Sequence, residues 1–229
     1  MFENFNKALI GAALLFWIAS PVRAGETMAR SGIPYVTDAQ AQPPELVEAI
    51  RARRGGELLN LDRMLLHSPS FARGWNAFFE AARGKQLALK PQLRELAIMS
   101  IATLNKADYE WAQHQPFYLS TGGTQAQLDR LHDVAGASRD HKPFDPVHRV
   151  TLASRDDKNF DPVQRATLEL TIEMTRDVAV KKETMDKVRG FLPDDQVVEL
   201  VGIISAYNMV SRFLVATGID IEKPALPAK

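Results

Sequence analysis

Apolar residues recur every three or four positions along most of the chain, which is the spacing of helices that pack by one face. The segment 89–105, LKPQLRELAIMSIATLN, shows this most clearly. Its apolar face consists of Leu93, Leu96, Ala97, Ile101 and Leu104. No segment keeps the sustained alternation of apolar and polar residues that strands show. The pattern therefore predicts an all-α protein, a bundle of eight or nine helices.

Proline, glycine and capping residues predict where individual helices begin and end. The first helix covers 44–54 and stops at a Gly-Gly pair, because glycine accepts the left-handed conformation that ends helices. Asn60 and Ser68 are the predicted N-caps of the next two helices. A later helix contains Pro116, which is expected to kink it. The last helix, Val197 to Val215, is nearly all apolar and is predicted to be the most buried.

A short duplication interrupts the second half of the chain. The pattern FDPV-R-TL occurs in 144–156 and again in 160–177, offset by 16 residues. Each Asp-Pro is a good helix start, with aspartate as the cap and proline in the first turn. Only the second copy continues into a long amphipathic helix. We interpret the first copy as a helix start inserted in a loop, because solenoids need longer units and at least three of them.

The N-terminus has the layout of a secretory signal peptide, with an apolar run followed by the small-x-small site Val22-Arg23-Ala24. The run is too short to span a bilayer comfortably. We expect cleavage after Ala24 and a periplasmic or secreted protein without stable membrane insertion. Two alternatives stay open. The segment could remain uncleaved as a membrane anchor, or translation could start at Met28, which would leave the protein in the cytoplasm. The predicted organisation is a signal peptide at 1–24, an extended N-terminal arm at 25–43, a helical domain at 44–220 and a C-terminal tail at 221–229.

Charge and cysteine content narrow the range of functions. Lysine plus arginine and aspartate plus glutamate number 28 each, so no net field attracts nucleic acid. No basic patch with interleaved aromatic residues is present either, and nucleic acid is not an expected partner. The chain contains no cysteine. Its absence excludes thiol catalysis, disulfide bonds and thiolate metal sites.

Glu95, Glu110 and His114 are the candidate catalytic residues. Glu110 and His114 lie four residues apart on one helix and share a face, with Tyr109 and Trp111 beside them as candidate walls of a pocket. If the two helices pack antiparallel, Glu95 approaches this pair. Two carboxylates and an imidazole in an apolar pocket separate into an acid and a base, because burial and like charge push their pKa values apart. Such a group suits proton transfer, decarboxylation or lactone chemistry.

Each of these residues also has a plainer structural explanation. Glu95 lies in the early turns of its helix, where a carboxylate is favourable in any case. Glu110 and His114 can form an exposed pair that stabilises their helix by about 0.3 kcal/mol. No metal site is predicted, because Glu-x3-His lacks the second histidine of a zinc helix motif, and no cofactor motif is visible. The other histidines, expected at the surface or at helix ends, are His67, His132, His141 and His148.

Tyr207, Asn208 and Arg212 are polar residues within the most apolar helix. A buried asparagine or arginine must find a partner. That partner is either structural, for example Glu169 or Glu173, or a substrate carboxylate, which arginine binds through two hydrogen bonds. Both interpretations stay open, and the three residues are candidate substrate-binding residues.

Three stretches together resemble the carboxymuconolactone decarboxylase family, which includes alkylhydroperoxidase D: LNLDRMLLHSPSFARGWNAFFEAARG, LRELAIMSIATLNKADYEWAQHQP and YNMVSRFLVATG. The resemblance covers residues 34–220 and rests on a glutamate followed 19 residues later by a histidine, here Glu95 and His114. It implies an alkylhydroperoxidase D-like helical fold, a trimer or hexamer, and a site near a subunit interface. The peroxidase branch of the family has cysteines at the positions of Ala107 and Glu110, so the chain resembles the branch that lacks them.

The residues and the resemblance lead us to expect cofactor-free, lyase-type acid–base chemistry on a small carboxylated or lactone substrate. His114 would be the base or acid, Glu110 would orient it, and Glu95 would be the second proton-transfer group. Arg212 would anchor an anionic group. Two alternatives stay open: a non-catalytic ligand-binding or scaffold protein of the same fold, and an antioxidant protein without a thiol peroxidase mechanism. The expected partners are a small-molecule substrate and further copies of the chain.

Overall fold

The computed structural model describes residues 27–137 and 158–222, with side chains described in these ranges except at 133–137. Within them every regular element is a helix, apart from one isolated bridge between Met28 and Pro34. The predicted all-α class is confirmed.

Nine helices follow one another in the two described ranges. They are α1 (Pro44–Arg54), α2 (Asn60–Leu65), α3 (Pro69–Ala82), α4 (Pro91–Leu104), α5 (Asp108–Ser120), α6 (Gln125–Ala137), α7 (Pro162–Arg176), α8 (Lys182–Phe191) and α9 (Asp194–Thr217). The predicted bounds of α1 are confirmed, and α5 continues through Pro116 to its end. The predicted signal peptide at 1–24, the first copy of the duplication at 144–156 and the tail beyond residue 222 lie outside the described residues.

The central helix of the fold is α4, which is buried on almost every side. It packs against α5, α6, α7 and α9. Every residue from Glu95 to Leu104 is buried, because this stretch is apolar all around the helix except for Glu95, Ser100 and Thr103. A carboxylate in such a place needs a compensating partner. The position of Glu95 is therefore the first structural sign of a site.

A tight turn joins α4 to α5 and sets their antiparallel packing. Lys106 adopts a left-handed conformation with φ of 55°, and the Ala107 N–H donates to the Ala102 carbonyl at 2.8 Å. This arrangement ends α4 and reverses the chain within a few residues. As a result, α5 runs back along α4 and carries His114 to the level of Glu95.

The last helix, α9, is half-buried rather than the most buried, so that prediction is wrong. One face packs against α3, α4, α7 and α8, while Val198, Met209 and Val215 are exposed on the other face. An apolar sequence does not distinguish a fully buried helix from a half-buried one, because small and branched residues are tolerated on both faces. Among the described residues, α9 is the one helix whose length and composition would suffice to cross a membrane, a test that core helices of soluble proteins also pass.

The N-terminal arm and the segment after α9 lie against each other on the helical core. Tyr35 and Ile219 are both buried. The Arg30 N–H donates to the Gly218 carbonyl at 2.9 Å, and the Asp220 N–H donates to the Tyr35 hydroxyl at 2.8 Å. The chain that follows α9 is thereby led across the end of the bundle as far as Glu222.

The second copy of the duplication starts α7 as predicted. The Gln164 N–H donates to the Asp161 side chain at 2.8 Å, and the Gln164 side chain accepts the Asp161 N–H at 3.0 Å. Pro162 occupies the first helical position, where no N–H is needed. This is a capping box in which each residue satisfies a backbone donor of the other.

Candidate active site

A cavity of about 630 Å³ opens between α1, α3, α5 and α9. Its volume lies in the range of small-molecule sites. One side of α5 forms much of its wall, because residues spaced by three and four positions share a helix face. These α5 residues are Tyr109, Glu110, Gln113, His114 and Phe117.

Glu95 and His114 are joined by a buried hydrogen bond at the back of this wall. The Oε2 atom of Glu95 lies 2.7 Å from Nδ1 of His114, and the Glu95 side chain is 1% exposed. The other carboxylate oxygen accepts a hydrogen bond from Arg94 Nε at 3.2 Å. Since His114 lines the cavity and Glu95 does not, the carboxylate lies behind the imidazole as seen from the cavity.

The charges of this pair follow from burial and from the hydrogen bond. Burial acts to raise the pKa of Glu95, but the hydrogen bond to His114 and the positive charges of His114, Arg83 and Arg94 outweigh it and hold that pKa below its ordinary value. Burial lowers the pKa of His114, against the opposing effect of Glu95. At neutral pH the pair is therefore an ionised carboxylate and a neutral imidazole. Nδ1–H donates to Glu95, which leaves the lone pair on Nε2.

Glu110 is a buried carboxyl group whose hydrogen-bonding capacity is unused. It is 1% exposed, and neither of its oxygens has a hydrogen-bond partner within the described residues. Burial, and then the charge of Glu95, raise its pKa well above the ordinary value. Burial therefore favours the protonated form of Glu110, which makes it a candidate proton donor in the cavity wall. The sequence suggested that Glu110 orients His114, but the structure gives that contact to Glu95.

Three arginines line the cavity, and sequence reasoning missed all of them. Arg53 and Arg54 share the buried carboxylate of Asp62, at 3.5 and 3.0 Å. Burial, followed by the charge of Arg54, lowers the pKa of Arg53 to about 10, so it stays cationic at neutral pH. Arg83 stacks on Phe117 with its guanidinium carbon 5.1 Å from the ring centre, and within the described residues no carboxylate pairs with it. The signals were the Arg-Ala-Arg-Arg run before Gly55 and the single arginine after α3.

Two tyrosines border the imidazole and the cavity. The ring of Tyr207 stands edge-on to His114, with ring centres 5.1 Å apart and planes at 90°. Tyr207 lines a narrow recess of about 40 Å³ together with Arg83 and His114. Tyr109 lines the main cavity. Burial raises the pKa of both phenols, so both are neutral hydrogen-bond donors at physiological pH.

Three predicted substrate-binding residues lie away from the cavity. Trp111 packs edge-on against His132 at 5.1 Å, in a second apolar cluster. Asn208 donates to the Thr175 hydroxyl at 3.0 Å and accepts from Asn105 at 3.1 Å. The exposed Arg212 donates to both carbonyl groups of Asn208. These contacts tie α9 to α4 and α7, so the polar residues of the last helix have structural partners.

The donor set of the site does not form a metal-binding cluster. In the ranges 27–137 and 158–222 no group of three or more histidine, aspartate or glutamate side chains is arranged to hold a metal ion. Nδ1 of His114 is engaged by Glu95, and the raised pKa of Glu110 favours its protonated form. The side-chain chemistry of this arrangement suits proton transfer.

Comparison with known proteins finds a family that part of the chain resembles. Residues 69–140, which include Glu95, Glu110 and His114, match the model of the Carboxymuconolactone decarboxylase family. This part of the chain is similar to that family. No protein of curated function matches the sequence at a significant level.

Solved structures of peroxidase-related proteins, one of them an alkylhydroperoxidase D core, and of a debrominase share the fold. The core of a peroxidase-related protein from Ralstonia eutropha matches with a TM-score of 0.63 and 17% identity, over 82% of this chain and 90% of that one. A peroxidase-related protein from Silicibacter matches with a TM-score of 0.61 and 16% identity, over 86% of this chain and 96% of that one. The debrominase Bmp8, solved with 2,3,4-tribromopyrrole, matches with a TM-score of 0.62 and 15% identity, over 82% of this chain and 90% of that one.

The chain carries no thiol at the positions that the resemblance assigns to cysteines. Ala107 is buried in the turn before α5, and Glu110 is the buried carboxyl group with a raised pKa. A carboxyl group does not form a disulfide or a sulfenic acid. The residues at these two positions therefore cannot carry out thiol chemistry.

Proposed function

We propose that this protein is a cofactor-free acid–base catalyst of the lyase type that acts on a small carboxylated substrate such as a lactone acid. The observation that carries the proposal is the hydrogen bond of 2.7 Å between Glu95 and His114 at the wall of a cavity. A carboxylate behind a neutral imidazole fixes its tautomer and turns the free nitrogen toward the ligand. That arrangement supports proton abstraction next to a carbonyl or carboxylate group.

The geometry supports a division of labour among the three residues. His114 removes a proton through Nε2, and Glu95 stabilises the imidazolium that forms. Glu110 delivers a proton to the product, since burial raises its pKa and favours its protonated form. Two groups whose environments push their pKa values apart are the usual basis of such an assignment. The sequence suggested the reverse, with Glu110 orienting His114 and Glu95 as the second proton-transfer group.

Arg83 is the proposed anchor of the substrate carboxylate. Its guanidinium faces the cavity without an acidic partner in the described part of the chain, while Asp62 occupies the other two arginines. An arginine stacked on an aromatic ring keeps its plane fixed and can offer two N–H groups to one carboxylate. Arg212, which the sequence suggested for this role, lies on the surface.

Thiol chemistry is not part of the proposal, although the structural relatives include peroxidase-related proteins and a debrominase. At 15–17% identity these relatives support the fold alone. The chain has no cysteine to reduce a peroxide or to attack a halogenated ring. We also propose that the protein is exported and forms a homo-oligomer, on the sequence arguments given above.

The proposal is tested by turnover of carboxymuconolactone and a panel of small carboxylated lactones, followed by absorbance, with peroxide reduction measured alongside. His114→Ala is expected to lose activity while keeping its helical content. His132→Ala is the matched control, because it removes an imidazole outside the cavity, and it should keep full activity. Equal activity of the parent and His114→Ala, or peroxide reduction by this cysteine-free chain, would contradict the proposal.

A further inference from the structure

The chain places one of its own carboxylates against the edge of the cavity. Glu222, which follows α9, accepts hydrogen bonds from the Tyr109 hydroxyl at 2.6 Å and from the Asn60 N–H at 2.8 Å, both at Oε1. Its other oxygen accepts from the Gln113 side-chain amide at 2.6 Å. One carboxylate thus satisfies three converging donors from two different parts of the chain.

Two of these donors belong to the cavity wall. Tyr109 and Gln113 are four residues apart on α5 and share the face that also carries Glu110 and His114. The Tyr109 side chain is buried, and a buried hydroxyl requires a hydrogen-bond partner. If Glu222 moved away, this face of α5 would present two neutral donors with an unmet need for an acceptor.

The segment that carries Glu222 does not depend on this contact for its position. Ile219 is buried, the Asp220 N–H donates to the Tyr35 hydroxyl, and the Asn60 side chain donates to the Asp220 carbonyl at 2.9 Å. Glu222 itself lies beyond these anchors and is only half-buried. Its side chain can therefore leave the three donors without unfolding the segment before it.

We propose that Tyr109, Gln113 and the Asn60 N–H form a carboxylate-binding subsite at the edge of the cavity, and that a free carboxylate ligand competes with Glu222 for it. The subsite differs from the Arg83 anchor because its donors are neutral and its occupant is part of the chain. It is a statement about binding, so it holds whether or not the cavity catalyses a reaction. A tethered competitor acts at millimolar or higher effective concentration and weakens the binding of a free carboxylate accordingly.

The experiment measures propionate binding by calorimetry in an Arg83→Gln background, which removes the other proposed carboxylate anchor. Adding Glu222→Ala is expected to lower the Kd for propionate at least about tenfold, since the competitor is gone. Adding Gln113→Leu to that double variant should return the Kd to the value of Arg83→Gln alone. Propionamide, which has the same shape without charge, should show no such gain.

Glu48→Ala in the same background is the matched control, because Glu48 is an exposed glutamate on α1 outside the cavity, and it should leave the Kd unchanged. If Glu222→Ala impairs folding, Glu222→Gln takes its place, with a smaller gain of at least about threefold. An unchanged Kd for propionate in the folded Glu222 variant would contradict the proposed subsite. So would an increase in affinity that remains after Gln113→Leu is added. Since every variant lacks Arg83 and the readout is equilibrium binding, absence of turnover in the parent chain has no bearing on the result.

Discussion

Glu95 and His114 lie on two consecutive antiparallel helices, with Oε2 and Nδ1 2.7 Å apart and both side chains buried. The turn at Lys106 is what brings them to the same level, because it reverses the chain between α4 and α5. A buried carboxylate on the central helix is costly unless it is compensated. Here the compensation comes from His114, which lines the cavity, and from Arg94, which bonds the other carboxylate oxygen.

Replacing Glu95 by Gln should reduce kcat roughly 100-fold or more, with a smaller change in KM. The amide still accepts a hydrogen bond, but it no longer stabilises the imidazolium that forms during the reaction. Steady-state kinetics on an identified substrate checks this expectation. Glu169→Gln is the control, because Glu169 pairs with Lys187 at the surface. Equal losses of kcat in the two variants would argue against an orienting role.

Replacing Glu110 by Gln should stabilise the protein increasingly as the pH rises. The pKa of Glu110 is raised in the folded state, so the stability it contributes is present below the unfolded pKa of about 4.3 and is lost as the pH rises toward the folded value. The loss approaches about 1.4 kcal/mol per pH unit in that window. Denaturant unfolding of the parent and of the variant, from about pH 5 to about pH 8, measures the difference in their free energies of unfolding. A difference that does not change with pH would show that Glu110 is not protonated in the folded protein.

Arg83→Gln should raise KM for carboxylated substrates at least about tenfold and leave KM for neutral esters of the same substrates nearly unchanged. The reason is that Arg83 is the cavity arginine without an acidic partner in the described residues. Arg212→Gln is a matched control, since Arg212 is exposed and bonds Asn208. A larger rise in KM for Arg212→Gln than for Arg83→Gln would contradict this role of Arg83. It would favour Arg212 as the anchor, as the sequence suggested.

Gly123→Ala should destabilise the fold by about 1–3 kcal/mol. A Cβ at this position would clash with the ring of Tyr118, which is fully buried and donates to Gln127. Gly190→Ala provides the comparison, because a Cβ there meets nothing within 4 Å and alanine favours the interior of α8. Chemical denaturation should therefore show a lower free energy of unfolding for Gly123→Ala and a higher one for Gly190→Ala. A change of the same sign in both variants would contradict the packing around Tyr118.

The sequence was sufficient to predict the parts of the fold that depend on local chemistry. The bounds of α1 follow from Pro44 and the glycines after Arg54, and the start of α7 follows from Asp161 and Pro162. The burial of α9 was misjudged, because an apolar composition does not tell which neighbours cover a helix. That information lies in the packing of distant segments, of which the sequence pattern gives no direct sign.

The same distinction holds for the site. Glu95, Glu110 and His114 were identified because two of them share one helix and the third lies on the neighbouring helix across a short turn. Which glutamate contacts the imidazole was not predictable, since it depends on the rotation of α5 against α4. Arg83 and Glu222 reach the cavity from α3 and from the segment after α9. No local spacing relates them to His114.

The protonation state of His114 tests the central claim most directly. In a long-range ¹H–¹⁵N spectrum of the labelled protein at pH 7, the His114 signals are those absent from His114→Ala. We predict a neutral ring with the proton on Nδ1 and a lone pair on Nε2, and a titration below the ordinary pKa of about 6.5. A ring that is charged at pH 7, or one that carries its proton on Nε2, would contradict the account.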